Sequence, residues 1–206
     1  LKDQGYDVSG VYILGWTGTE KFPCSWQHEE ADARAVAAQL DIPFQTINLS
    51  KEYEQQVVDQ FFAGYRRGIT PNPDILCNRE IKFKALWRAV RSLEPDYIAT
   101  GHYARIENGL LKKGRDSNKD QSYFLWGIER RMLSKILFPV GELDKVDVRR
   151  RAEAFGLATA AKKDSQGICF IGPLRVREFL RTELRPISGD AVLSDGRVIG
   201  AHDGAV

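Results

Sequence analysis

The feature that most constrains this chain is the alternation of strand-like and helix-like patterns through its first hundred residues. The run YDVSGVYILGW, from Tyr6 to Trp16, is rich in β-branched and aromatic residues and predicts a buried strand. In EEADARAVAAQL the apolar residues Ala33, Val36, Ala37 and Leu40 recur at spacings of three, four and seven, and Asp41-Ile42-Pro43 ends that helix. Phe44 to Leu49 follows as a second strand, and Glu52 to Arg67 as a second amphipathic helix with Val57, Val58, Phe61, Phe62 and Tyr65 inward. After the Pro-rich loop TPNPDILC, a third helix carries Phe83, Leu86, Trp87 and Val90 on one face, and DYIAT (96–100) is a third strand. This order predicts an α/β fold: a parallel sheet flanked by helices on both faces, with ligand sites at the carboxyl ends of the strands. GHYARIENGLLKKG predicts a strand and hairpin at the sheet edge, with Asn108-Gly109 as the turn.

The second half changes character. Asp144 is placed to cap a helix with Asp147 at its third position, an apolar stripe of Val148, Ala152 and Phe155, and Gly156 as a left-handed stop. Another helix, from Pro173 to about Leu184, is expected to bury Val176, Phe179 and Leu180. RPISGDAVLSDGRVIGAHDG then switches to short β runs with turns, the pattern of an opening β-domain.

Bulk properties narrow the function classes. With 206 residues, 43% hydrophobic and 28% charged, the chain has globular composition and room for one large domain and a smaller one. No apolar run approaches the roughly 18 to 20 residues that span a bilayer, and no basic-then-apolar leader is present, so the expectation is a cytoplasmic protein without a membrane partner. The first residue is Leu1 and the only methionine is Met132, so the sequence is expected to be a fragment. The net charge of +2 does not by itself announce a nucleic-acid binder, yet residues 1–64 stand at −6 while 65–144 and 145–185 stand at +5 each. A polyanion would therefore meet the middle and later segments; for Arg149, Arg150 and Arg151 the alternative is a solvated helix surface. Cys24, Cys77 and Cys169 lie far apart without a CxxC pair, which disfavours a structural zinc site or a disulfide-stapled fold and leaves free thiols or a transient redox pair.

Four segments carry candidate chemistry. In TPNPDILCN two prolines stiffen a loop that runs into a helix, so Cys77 reads either as a thiol activated by the helix N-terminus with Asp74 as proton shuttle, or as a buried cysteine with Asp74 as a plain N-cap. Cys169, in KKDSQGICFIG, reads either as a thiolate favoured by Lys162 and Lys163 or as a half-buried strand cysteine. Gly101-His102-Tyr103-Ala104-Arg105 follows the third strand at its ligand-binding end, although a lone histidine is more often structural. Asn118-Lys119-Asp120-Gln121-Ser122-Tyr123 suits a helix start or, equally, backbone and base contacts to RNA.

TPNPDILCN, GHYAR, SNKDQSYFL and DSQGICFIG, in this order and with FPVGEL between the last two, resemble the signature blocks of the tRNA-specific 2-thiouridylase family, and the match runs from the first strand to the last residue. The resemblance implies an adenine-nucleotide-hydrolase-like, pyrophosphatase-loop domain over 1–134, a small helical linker domain carrying the second cysteine over 135–187, and the start of a C-terminal β-barrel over 188–206. It implies ATP-dependent 2-thiolation of the wobble uridine of tRNA, with Mg2+ accompanying ATP, the uridine C2 oxygen adenylated and AMP released. In the family the cysteine matching Cys169 carries a persulfide received from a sulfur-carrier protein or cysteine desulfurase, and the one matching Cys77 acts with it, a disulfide forming between them. Asn72, Pro73 and Asp74 match the stretch that meets the target base, with Asp74 as acid/base; Gly101 matches an ATP contact, and His102, Lys119, Asp120 and Gln121 match tRNA contacts. Two departures stand out: the family's Ser-Gly-Gly-x-Asp-Ser phosphate loop is missing from the sequence, and Ile13 stands where a methionine usually meets the adenine. The resemblance assigns no role to Cys24. The competing expectation is a catalytically silent tRNA-binding or sulfur-relay remnant; an unrelated thiol-disulfide domain is disfavoured by the lack of CxxC.

Overall fold

The computed structural model describes residues 1–20, 22, 24, 26–163, 167–169, 171 and 176–204. Strand β1 (Gly10–Leu14) lies parallel to β2 (Phe44–Asn48), with Gly10 opposite Phe44 and Leu14 opposite Asn48, and helix α1 (Trp26–Gln39) connects them. Helix α2 (50–66) runs without a break through Ser50–Tyr53, Glu54–Val58 and Asp59–Arg66; its middle piece is π-helical. Helix α3 (73–89) is built likewise from Pro73–Leu76, a π-helical Cys77–Ala85 and Leu86–Ala89. Strand β3 (Ile98–Ala99) leads into the hairpin of β4 (Ala104–Glu107) and β5 (Leu110–Lys113). Asn108 and Gly109 both take positive φ, 52° and 72°, as a two-residue turn matched to strand twist requires. Strand β6 (Ile136–Leu137) pairs in parallel with β3. Helices α4 (Lys145–Ala154) and α5 (Val176–Glu183) follow, and then the antiparallel pair β7 (Gly189–Val192) and β8 (Val198–His202).

Alternating strands and helices with parallel pairing make this an α/β fold, as the sequence pattern predicts. The sheet differs from the expectation in three ways. Among the described residues the parallel strands form two separate pairs, β1 with β2 and β3 with β6. A cleft of about 930 Å³ lies between them, lined by Val11, Tyr12 and Ile13 on one side and Ile98, Ala99 and Thr100 on the other. The strand expected over Tyr6–Trp16 is accordingly only five residues long, and four of these are half-buried. The β4–β5 hairpin is a two-stranded sheet of its own rather than the edge of the parallel one.

The core gathers where α2 meets α3. Tyr53, Val57, Val58, Phe61 and Phe62 are buried from α2, and Ile81, Phe83, Leu86 and Val90 are buried in and just after α3; of the expected inward residues Tyr65 and Trp87 are only half-buried, while Tyr53 and Ile81 join the core without having been expected there. Each such side chain contributes about 1.5–3 kcal/mol by leaving water. Phe179 of α5 joins this core, its ring edge-on to Trp16 at 6.0 Å and to Phe22 at 5.6 Å. Ile168 and Ile171 are buried in the same cluster, so the segment around Cys169 is anchored in the main core.

The later helices depart from their expected faces. Helix α4 buries no residue, and Phe155, expected in its stripe, is 53% exposed. Asp144 occupies the N-cap position without a side-chain cap bond; the carboxylate of Asp116 accepts the Lys145 N–H instead, at 3.0 Å, because the polypeptide near 116 folds back onto the helix start. Gly156 takes the left-handed conformation expected of the stop, φ 66°. Phe179 and Leu180 of α5 are buried as expected, whereas Val176 is exposed; the expected helix start at Pro173 lies outside the described residues. No helix among the described residues is long and apolar enough to cross a membrane.

Candidate active site

The start of α3 is set by three residues. Pro73 supplies the fixed φ that suits a first helical position, and the Asn72 side-chain oxygen accepts from the N–H groups of Asp74 (3.0 Å) and Ile75 (3.3 Å). Asn72 is therefore the N-cap, not Asp74, and the Asp74 carboxylate is released for another partner. It accepts the backbone N–H of Cys169 at 3.1 Å across 95 residues of sequence. The Tyr53 hydroxyl, itself wholly buried, donates to the Cys169 carbonyl. Cys169 is thus held by its own backbone on both sides, and its sulfur lies within hydrogen-bonding reach of the Cys77 thiol. Both cysteines are free thiols; Cys77 is buried and Cys169 half-buried.

Electrostatics assign the two thiols different states, choosing the buried reading for Cys77 and the thiolate reading for Cys169. Burial pushes the Cys77 thiol well above its ordinary value, and the bond to Cys169 adds to this. Cys77 follows a full turn of helix, so the positive end of α3, whose influence fades within the first turn, does not offset that desolvation. Cys169 goes the other way: the hydrogen bond from Cys77 and the nearby Lys82 ammonium outweigh burial and lower its pKa to about 7. The cation that supplies this field is Lys82 rather than the expected Lys162. Lys162 instead bridges Glu29 (2.9 Å) and Asp32 (2.6 Å) on α1.

Lys82 escaped sequence reasoning because of helix geometry. Five residues along an α-helix turn a side chain roughly 140° from its starting face, whereas a π-helical stretch, closing its bonds from i to i+5, leaves it only about 50° off. The π-helical Cys77–Ala85 piece therefore carries Lys82 round to the thiol. Burial alone would lower the Lys82 ammonium, yet Cys169, Cys77 and Asp74 together hold it above its ordinary value. Tyr53 was likewise missed as a site residue, since its inward helical position announces only packing.

The expected nucleotide residues Ile13 and Gly101 line the same cleft, from β1 and from the loop after β3. A side chain at Gly101 would meet no atom within 4 Å, so the glycine leaves open room beside the cleft. Lys82, His102 and Gln121 line it too. His102 is buried against Phe83 and Phe138, and desolvation, with the Lys82 charge, lowers its pKa to about 3. An ammonium has no lone pair, so His102 Nε2 accepts from Lys82 Nζ at 3.4 Å, and Nδ1 bears the proton donated to Thr100 Oγ1 at 2.8 Å. Gln121 Oε1 accepts the Tyr103 N–H at 3.0 Å. The Asp120 carboxylate accepts from the N–H of Gly114 (2.8 Å) and the hydroxyl of Ser122 (2.9 Å), joining β5 to the Ser122–Phe124 turn, while Lys119 is exposed. The structure thus brings Asp74, Cys77 and Cys169 into one cluster and Ile13, Gly101, His102 and Gln121 into one cleft, with Lys82 in both; Asn72 and Pro73 form the cap beneath Asp74.

The chain was also compared with known proteins. Residues 1–173 match the family model described as tRNA methyl transferase HUP domain. The chain is 48% identical over 210 residues to a tRNA-specific 2-thiouridylase MnmA of Streptococcus thermophilus, and 49% identical over 210 residues to one of Streptococcus agalactiae. It is 50% identical over 211 residues to that of Hydrogenovibrio crunogenus. These alignments cover 99% of this chain and 55% to 56% of the relatives, so the chain spans about half the length of the curated relatives it matches.

Proposed function

The chain belongs to the tRNA-specific 2-thiouridylase family, within the tRNA methyl transferase HUP domain group, and on that premise we propose that it forms part of an ATP-dependent tRNA-uridine 2-sulfurtransferase. The observation that supports this most directly is the contact between Cys77 and Cys169 beside a cleft, with Asp74 and Lys82 around the sulfur. A thiol near neutrality and a buried neutral one are the pair that sulfur transfer needs: the first receives sulfur, the second remains protonated until called upon.

In this reading the Cys169 thiolate attacks the outer sulfur of a persulfide on a sulfur-carrier protein or cysteine desulfurase; the carrier's S–S bond breaks and the carrier leaves as its thiolate. Ile13 and Gly101, which line the cleft, would hold ATP there, and the nucleotide with its Mg2+ would supply the adenylyl group that activates the uridine oxygen. The C2 oxygen of the wobble uridine attacks the α-phosphorus and pyrophosphate departs. The terminal sulfur of the Cys169 persulfide then attacks C2 and AMP leaves with the oxygen. Cys77, its proton taken by Asp74, attacks the Cys169 sulfur, so the thiocarbonyl departs with its electron pair and a Cys77–Cys169 disulfide remains. A thiol or dithiol reductant, itself oxidised, restores the two cysteines.

Anticodon-loop uridine is single-stranded, so it enters such a pocket at modest unstacking cost. Asn72, Pro73 and Asp74 border the base; His102, Lys119 and Gln121 line the RNA path, and Asp120 orders the Lys119–Gln121 turn. The linker domain over 135–187 and the start of a barrel over 188–206 belong to the same reading. The test is mass spectrometry of nucleosides from tRNA incubated with full-length protein, ATP and a persulfide source. We expect 2-thiouridine, lost in Cys77→Ser and Cys169→Ser; product retained in either variant refutes the mechanism, and no product with the intact protein refutes the function.

A further inference from the structure

Lys82 stands on the wall common to the thiol pocket and the cleft. It lines the cleft, bonds the Cys169 sulfur, and lies 3.4 Å from His102 Nε2. We propose that Lys82 is the cation that holds sulfur on Cys169 as an anion, first as thiolate and again as persulfide, and that His102 fixes the ammonium in that position. This deepens the function proposed above and rests on it.

Among the described residues, the groups around Cys169 come from helices α2 and α3. Helix α2 offers the Tyr53 hydroxyl, which is neutral and bonded to the Cys169 carbonyl rather than to the sulfur. Helix α3 offers Asp74, whose negative charge opposes an anion there, Cys77, which is neutral and donates a hydrogen bond, and Lys82. Among the described residues Lys82 is the only cation in that set. The His102 side chain behind it carries no charge near neutrality, so it does not compete as a cation and it offers Nε2 as a lone pair to the ammonium. Thr100 locks the ring by accepting from Nδ1, which keeps that lone pair aimed at Lys82. A persulfide is a longer chain of sulfur than a thiol; a flexible lysine stem follows the charge outward, toward the cleft where the activated base arrives.

The experiment is the pH dependence of iodoacetamide alkylation at Cys169 in the full-length protein, read by mass spectrometry of the modified peptide, for wild type, Lys82→Met, Lys82→Gln and Lys82→Arg. Removing a cation in contact with the thiolate is expected to move the midpoint upward by about one pH unit or more in both Met and Gln variants, with Arg staying near wild type. A Gln or Met variant that unfolds at the wild-type temperature and keeps the wild-type midpoint overturns the proposal. If Met does not fold, Gln, which keeps the length and polarity and loses only the charge, decides the matter alone. The assay needs neither ATP nor tRNA. A shifted midpoint with no 2-thiouridine from the intact protein sinks the function and spares Lys82, whereas 2-thiouridine with an unmoved midpoint does the reverse.

Discussion

At the scale of single residues, the site works by giving similar side chains different surroundings. Cys77 and Cys169 share one hydrogen bond, yet the first lies in the core among α2 and α3 and the second at the edge of a charged pocket. Asp74 illustrates the cost of disturbing this. Asp74→Ala leaves the Cys169 N–H without its acceptor, so we expect about 1–3 kcal/mol of lost stability, and 2-thiouridine formation slowed far more than tRNA affinity falls. Kinetics beside a filter-binding titration check this; an affinity that collapses while turnover survives removes the acid/base role. His102 gives a pH signature. Its pKa falls from 6.5 to about 3 on folding, so the unfolded chain binds the extra proton and stability drops as pH falls from 6.5 toward 3, with no contribution above that window. Between pH 7 and pH 5 the loss from this group is about 2 kcal/mol. Urea unfolding of wild type and His102→Gln at both pH values should show that difference shrinking in the variant; parallel pH dependences would contradict a buried neutral histidine.

At the scale of elements, what matters is how each helix or turn aims its side chains. The cap made by Asn72 is local and legible: Asn72→Ala is expected to cost about 1 kcal/mol and lower the melting temperature, while Asn72→Asp keeps the acceptor and most of the stability. The glycine of FPVGEL is less legible. A Cβ on Gly141 would lie 1.8 Å from the Ala104 carbonyl oxygen, a backbone atom that cannot swing away. Gly141→Ala should therefore destabilise by about 1–3 kcal/mol, and a variant that melts with the wild type would show that the β4 strand is free to retreat. The π-helical segment of α3 was invisible to a reading based on a 3.6-residue period. Such a reading finds the inward row of Phe83, Leu86 and Val90, which is buried as expected, and turns Lys82 away from Cys77.

At the scale of the whole molecule, the segment around Cys169 is drawn to the first half by contacts with three elements. Lys162 binds α1 through Glu29 and Asp32, Tyr53 of α2 holds the Cys169 carbonyl, and Asp74 of α3 holds its N–H. Tyr53→Phe removes the second of these and is expected to cost about 0.5–1.5 kcal/mol and to slow formation of the Cys77–Cys169 disulfide under mild oxidation, followed by gel shift or mass; an unchanged rate would show that the other contacts suffice. Much of this architecture was present in the linear chain. Hydrophobic period, the Asn108-Gly109 turn, the Gly156 stop and the four dense motif blocks fixed the element order, the parallel pairing and the family, because each depends on neighbours within a turn or two. Folding alone decided that the parallel strands stand as two pairs about a cleft, that Asn72 and not Asp74 caps α3, that Cys169 and not Cys77 is the acidic thiol, and that Lys82 and not Lys162 is its cation. Desolvation and Coulomb energy depend on distance in space and on the depth of burial, and both are set by groups some ninety residues away in sequence, which no local pattern encodes.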